Sequence, residues 1–344
     1  MTTSDEGEAP GPAHEPARLQ YVDTLYAFAI VLVVLGHSLP WQWGDRTHPV
    51  LNALSVWIYS FHMPLFMFVS GFVFRSAFGR RSFSSYVAKR AQRLLLPYVS
   101  ANALYFVSKW AFSAAAGASL TTGWASFVLY PRASHSINLW FLPTLFWIGV
   151  LLYPMSVLCG RSWRAQGLVA LGLALLHQVD PVRDVKLFGA DLVSHYAVYY
   201  WAGTLCFVGR DRILDIARRR WVPLILLGLH AASLYAQANH PWTALVGIFA
   251  SLSAASAIDL RPASLVGRLV APIQRYSYQI YLFSGLGHTP VRRFFTEVVP
   301  VAPALLVLLV FLGGSLAAAF MIVVFRRFLP VLGPLFGLSK PRGA

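Results

Sequence analysis

The chain has 344 residues, of which 57% are hydrophobic and only 12% charged, against about 45–50% and about 25% in soluble domains. Its charges are lopsided, with 28 Lys and Arg against 13 Asp and Glu, a net +15. So much apolar content excludes a disordered chain, the charge is too sparse to cover a soluble domain, and 11 Trp and 24 Phe argue against a nucleic-acid binder. An integral membrane protein remains.

Residues 1–20 form a polar segment with Pro10, Pro12, Pro16 and the acids Asp5, Glu6, Glu8 and Glu15, which is expected to be a disordered cytoplasmic tail. It lacks the basic start of a secretory leader, so the apolar run after it is read as a retained span. A spanning helix needs about 20 mostly apolar residues. Ten segments meet or approach this: 24–40, 54–74, 94–115, 139–158, 165–178, 192–208, 221–237, 241–258, 272–288 and 301–325. The fifth is the weakest, because its apolar stretch from Gly167 to Leu176 is short enough for a re-entrant or buried segment.

Charge decides the count. With ten spans and both termini cytoplasmic, 21 of the 28 basic residues fall inside and six outside, with Lys109 within a span. Without the fifth span the split becomes 13 inside and 14 outside. Positive charge is retained on the cytoplasmic side, so ten spans are expected. The fold class is therefore an all-α integral membrane protein, a bundle of about ten transmembrane helices in the cell membrane. Residues 21–330 make one membrane domain and 331–344 a cytoplasmic tail. Cys159 and Cys206 are too few, and too apolar in context, for a disulfide framework or zinc site, and no metal is expected.

Ionisable groups within spans are costly and mark candidate sites. Asp23, Tyr26, Ile30, Val33 and His37 share one face of the first helix, with His37 near its outer end. Fourteen residues, about 21 Å of helix, separate Asp23 from His37, so the carboxylate cannot orient the imidazole directly. Catalysis, proton handling and simple contact with headgroup water all fit His37. His62 lies in Ser60-Phe61-His62-Met63-Pro64, where Pro64 frees a carbonyl one turn earlier. A structural bond and a catalytic role suit it equally. Ser70-Gly71 reads first as a pair that permits close helix packing.

Lys89, Arg90 and Arg93 enter the membrane on one side of the third span, as anchors on anionic lipid or as a phosphate site. The loop Arg210–Arg220 carries similar charge without the same spacing. Trp140, in Asn138-Leu139-Trp140-Phe141-Leu142-Pro143, suits an interface. Asp180, Asp184, Asp191 and His195 match no metal motif. No phosphate-cradling Gly loop, HExxH or GxSxG is present, and Asp45 is the sole acid of the first outer loop, which weakens a polyprenyl-sugar glycosyltransferase.

Four stretches in order resemble the membrane-bound acyltransferase family 3, closest to its sugar O-acetylase (fucose 4-O-acetylase-like) branch. They are Tyr21–Leu25 through Val33–His37, Phe61–Phe66 through Ser70–Phe72, Lys89–Leu94 to Pro97-Tyr98, and Leu139–Leu142; Ser277–Leu282 is a weaker late echo. The resemblance implies transfer of an acyl group, most simply acetyl, from acyl-coenzyme A on the cytoplasmic side to a hydroxyl of a carbohydrate or glycoside. Acyl-coenzyme A is then a co-substrate, with no permanently bound cofactor. It makes His37 the catalytic base, places Asp23 and His62 in the catalytic set, and assigns Arg90 and Arg93, with Lys89 beside them, to coenzyme A phosphates. Ser70, Trp140, Tyr281 and Ser284 would line the substrate channel, and His62, Tyr281 or Ser284 would donate to the thioester oxygen.

Two departures stand out. Tyr26 replaces the Arg or Lys that many members carry eleven residues before the His, and Ser284 replaces a late His, for which His288 one turn onward can substitute. Because Arg90 and His37 lie toward opposite faces, a cavity through the bundle is expected. Acceptor capture falls to the bundle or to the outer loops 117–137 and 178–191. The alternative function is a proton-coupled multi-span membrane transporter, which should show paired broken helices in matching halves; no such symmetry is visible. A purely structural membrane protein leaves His37 and His62 unexplained.

Overall fold

The computed structural model describes residues 20–39, 48–79, 82–115, 126–136, 138–160, 162–236, 241–257 and 265–338. Residues 1–19, Asp45, Arg80, Arg81, the loop residues 117–125 and the basic residues Lys340 and Arg342 lie outside them. Among the described residues no strand occurs, and the helices are α1 (Gln20–Ser38), α2 (Pro49–Ser76), α3 (Phe83–Ala115), α4 (Ser126–Leu129) and α5 (Phe141–Cys159). They continue with α6 (Trp163–Val179), α7 (Ala190–Val208), α8 (Arg210–Ala217), α9 (Val222–Tyr235) and α10 (Pro241–Ala257). The last are α11 (Leu265–Phe283), α12 (Gly285–Arg293) and α13 (Pro303–Val323).

A helix occupies each of the ten expected spans, α11 and α12 together forming the ninth. Tyr21–Ser38, Pro49–Ser76, Phe141–Cys159 and Pro303–Phe328 are long and apolar enough to cross a bilayer, and α9 and α10 are shorter apolar helices. The protein is an all-α integral membrane protein. The weak fifth segment is a regular 17-residue helix, α6, about 25 Å long. Its polar Gln166 is fully buried; Nε2 donates to the Gly160 carbonyl at 3.2 Å and its backbone carbonyl accepts from Trp201 Nε1 at 2.9 Å, while Oε1 has no partner among the described residues.

Helix α1 stands at the centre, against α2, α10, α11 and α13. Leu25, Ala29, Ile30, Val33 and Val34 are almost wholly inaccessible, so this apolar run has a packing reason as well as a membrane one. Helices α2 and α7 make the most extensive helix pairing. Two glycines permit it: a Cβ at Gly71 would fall on the Tyr200 carbonyl, and one at Gly203 on the Phe68 carbonyl. Backbones can approach this closely only where side chains vanish, which drives association when no water is expelled between helices. Gly71 therefore plays the packing part its sequence context suggested.

His230 on α9 is a buried histidine with a structural task. Its Nδ1–H donates to the Thr243 carbonyl at 3.0 Å, and its Nε2 lies 3.1 Å from the Ser60 hydroxyl, which itself donates to the Trp57 carbonyl. One ring thus ties α9 to α10 and α2. Cys159 and Cys206 are free and buried. Past α13 the chain widens into a π-helical turn, Val324–Phe328, and residues up to Leu338 fold back on the bundle. There Phe336 packs on Phe325 and Phe283, at ring-centre distances of 4.3 and 5.3 Å.

Candidate active site

His37 occupies the last turn of α1 and is half-buried. Arg292 of α12 donates to the His37 carbonyl at 2.7 Å and to the Leu39 carbonyl at 3.3 Å. A cation on the open carbonyls of a helix C-terminus is favourable by charge and by hydrogen bonding, and it fixes where α1 ends. The imidazole itself faces two aromatic rings. Tyr59 of α2 lies edge-on with centres 6.4 Å apart, and His288 of α12 lies at 6.3 Å. Tyr59 in turn sits edge-on to His62 at 4.8 Å. Three histidines from α1, α2 and α12 thereby gather at one end of the bundle.

His288 reaches this position because α12 and α13 nearly touch. A Cβ at Gly287 would strike the Gly313 carbonyl, and one at Gly314 would strike His288 Nε2. The ring is buried, and its Nε2 has no hydrogen-bond partner among the described residues. His288, one turn beyond the Ser284 position at which the resemblance expects a histidine, places its ring beside His37.

The three candidate donors to a reacting carbonyl separate clearly. His62 Nδ1 is 2.8 Å from the Ile58 carbonyl, which can only accept, so the proton sits on Nδ1 and the neutral ring offers Nε2 as an acceptor. Tyr281 gives its hydroxyl proton to the Asn138 carbonyl at 2.5 Å, while Asn138 Nδ2 donates back to the Tyr281 carbonyl at 2.8 Å. Ser284 is 1% exposed, and its hydroxyl has no partner among the described residues. It lies at the start of α12, one turn before His288.

The inner end holds the remaining charged candidates. Because α1 is continuous, Asp23 in its first turn stands about 21 Å from His37, at the opposite end of the helix. Lys89 and Arg93 are exposed on α3. Arg90 turns inward: it donates to the Leu145 carbonyl at 2.6 Å and lies against the rings of Tyr86 and Tyr200 at 5.6 and 5.8 Å. Gly149 of α5 makes room for it, since a Cβ there would meet the guanidinium. The basic triad is therefore split, one arginine inside the bundle and two cations outside.

Tyr26, the other departure, packs against Phe66 of α2 with ring centres 6.2 Å apart, and Ser70 is half-buried on the same helix. Trp140 stacks on Tyr196 with ring centres 5.4 Å apart, next to a contact between His177 and His195 at 4.4 Å. Asp191 is buried and held by Arg132 at 3.0 Å and Lys186 at 2.9 Å. A groove of about 700 Å³ lies on the flank formed by α1, α11 and α13 and includes neither Arg90 nor His37, so it is not the channel expected between them.

Sequence reasoning missed Tyr59, Arg292 and Asn138 as members of this end of the bundle. Nothing in the local sequence of Arg292 connects it to His37, 255 positions away. The Gly313-Gly314 pair inside an apolar helix was the one legible sign of the approach that seats His288.

Comparison with known proteins follows the same lines. The family profile Acyl_transf_3, described as an acyltransferase domain, matches residues 19–324. A stretch of 94 residues, 26% of the chain, is 39% identical to nodulation protein NolL of Mesorhizobium japonicum (strain LMG 29417 / CECT 9101 / MAFF 303099), covering 25% of that protein. Over 90 residues it is likewise 39% identical to nodulation protein NolL of Sinorhizobium fredii (strain NBRC 101917 / NGR234), again 26% of the chain and 25% of the relative. The matches span about a quarter of the length of these curated relatives. No solved structure matches the chain.

Proposed function

This chain belongs to the Acyl_transf_3 family of acyltransferase domains, and from that premise we propose that it moves an acyl group, most simply acetyl, from acyl-coenzyme A to a hydroxyl of a carbohydrate or glycoside. The observation that carries the reading is the gathering of His37, His62 and His288 at one end of a membrane bundle. Family membership favours it over proton-coupled transport, the other use to which intramembrane histidines could be put.

A sugar hydroxyl is too weak an acid to attack a thioester unaided. In the proposed reaction His37 accepts the hydroxyl proton as the oxygen adds to the thioester carbon. The carbon–oxygen bond forms, the carbon–sulfur bond breaks, and the proton passes from His37 to the leaving thiolate. Negative charge on the thioester oxygen calls for a donor. Ser284 fits best, because Tyr281 and His62 have already given their protons to carbonyls. His288 stands beside His37 to orient it. Arg93 and Lys89, exposed at the end of the bundle to which charge bias assigns the cytoplasm, offer phosphate contacts for coenzyme A. Arg90 takes part from within as the support of that end. Asp23 serves the same end of α1 and acts on no proton at His37. The reading places the protein in the plasma membrane, with the acyl donor and a glycan acceptor as its partners.

The test follows radiolabel from acetyl-coenzyme A into envelope glycan supplied to the purified protein. His37→Ala should lower incorporation by about 10²–10⁴-fold while the protein still elutes as a single folded species. Undiminished incorporation in that variant would sink the mechanism.

A further inference from the structure

The groove on the flank of the bundle has a different chemistry from the histidine end. Val31 of α1, Ile273 of α11, and Phe311 and Ala319 of α13 form its accessible walls. Arg326 and Arg327 stand at its far end. No carboxylate lines it among the described residues. A kink opens it: Tyr276 leaves helical geometry within α11 at φ −113°, ψ 15°, one turn after Pro272 interrupts the hydrogen-bond ladder. The Tyr276 hydroxyl then accepts from Arg326, and the guanidiniums of Arg275 and Arg326 lie 5.4 and 5.6 Å from its ring centre.

Dimensions narrow the occupant. Phe311 to Arg326 is fifteen residues, about 22 Å along α13 and the π-helical turn that follows it. That equals half of a bilayer's roughly 40–45 Å, headgroup zone included. The volume of about 700 Å³ falls in the range of about 300–1,000 Å³ that holds one small ligand. The apolar trough runs through the depth of one leaflet, and its cationic end is on the side to which charge bias assigns the cytoplasm.

We propose that this groove is a binding site for one anionic phospholipid of the cytoplasmic leaflet, its acyl chain between α1, α11 and α13 and its phosphate on Arg326 and Arg327. The complement of a positive end and an apolar trough is an amphiphile with a negative head. Tyr276 holds Arg326 at the mouth, so the site keeps its charge in place without a bound lipid. The site is separate from acyl transfer and stands whether or not that reading holds.

Native mass spectrometry of the full-length protein, purified in detergent and mixed with equal phosphatidylglycerol and phosphatidylcholine, tests it. The unaltered chain should retain phosphatidylglycerol over phosphatidylcholine by about fivefold or more for each arginine engaged. Arg327→Gln, which leaves the Arg326–Tyr276 bond intact, should reduce that preference by about fivefold. Ala319→Trp, which fills the groove, should abolish retention of either lipid while the protein still elutes as a single species. Equal retention of the two lipids by the unaltered chain would overturn the proposal. So would unchanged phosphatidylglycerol retention in Ala319→Trp, since the lipid would then be held by basic surface elsewhere. Should Ala319→Trp not fold, an unchanged preference in Arg327→Gln refutes the headgroup assignment by itself.

Discussion

Tyr281 and Ser284 carry hydroxyls three residues apart, yet their situations differ in kind. Tyr281 is bonded reciprocally to Asn138, joining α11 to the entrance of α5, whereas the Ser284 hydroxyl is buried with no partner among the described residues. A buried hydroxyl with no partner among the described residues has its proton available, which suits the donor part proposed for Ser284. Tyr281→Phe should therefore lower thermal stability, by about 1 kcal/mol for the lost bond and more for the orphaned Asn138 carbonyl, with kcat little changed. Ser284→Ala should leave the melting temperature in place and lower kcat by about 10²–10³-fold. Parallel melting curves and turnover rates separate the two, and a stable Tyr281→Phe protein with lost turnover would reverse the assignment. Arg90 and Arg93 divide in the same way. Arg93→Ala should raise the KM for acetyl-coenzyme A without loss of stability, while Arg90→Ala should destabilise, because it empties the space that Gly149 leaves for the guanidinium.

Between helices, glycine placement decides which surfaces meet. Gly71 and Gly203 lie where α2 and α7 bring backbone against backbone, whereas Gly167 and Gly172 of α6 face open space. Gly71→Leu should force the pair apart and abolish the monodisperse peak in size-exclusion chromatography; Gly172→Leu should elute unchanged. Equal behaviour of the two would show that the α2–α7 contact is not what holds the bundle. All four glycines sit in apolar helices and look alike in sequence. What distinguishes them is the neighbour across the interface, which no local window contains. The same holds at Gly314, whose missing side chain is where His288 rests.

Across the whole molecule, the excess of positive charge orders the bundle. Helices lie at all ten apolar segments, α11 and α12 sharing the ninth, and the 21-to-6 division of basic residues predicts their orientation. That division puts the exposed Arg183, in the loop before α7, outside. An Arg183→Cys protein in intact cells should react with a membrane-impermeant maleimide, against a silent background because Cys159 and Cys206 are buried. Labelling only after the membrane is opened would invert the topology and move His37 to the cytoplasmic side. The sequence alone made the fold class, the ten helices and the family likeness readable. Of the site it offered His37 and His62 as anomalies in apolar runs, and the comparison at residues 19–324 agrees with the likeness. It could not show that Tyr281 spends its hydroxyl on Asn138, that Arg90 turns inward, or that Tyr59 and Arg292 stand at His37.

Those two sets of properties have different physical origins. Hydropathy and charge bias are sums over neighbouring residues, so the apolar character of each segment and the sidedness expected of each loop are legible without any helix meeting another. The meeting of His37 with His288 and the seat of Arg292 on the end of α1 arise from contacts between segments some 250 positions apart, and the groove lies between α1 and the distant α11 and α13. Such contacts depend on which small residues let backbones approach and on which polar groups are already paired. Only the packed bundle decides that.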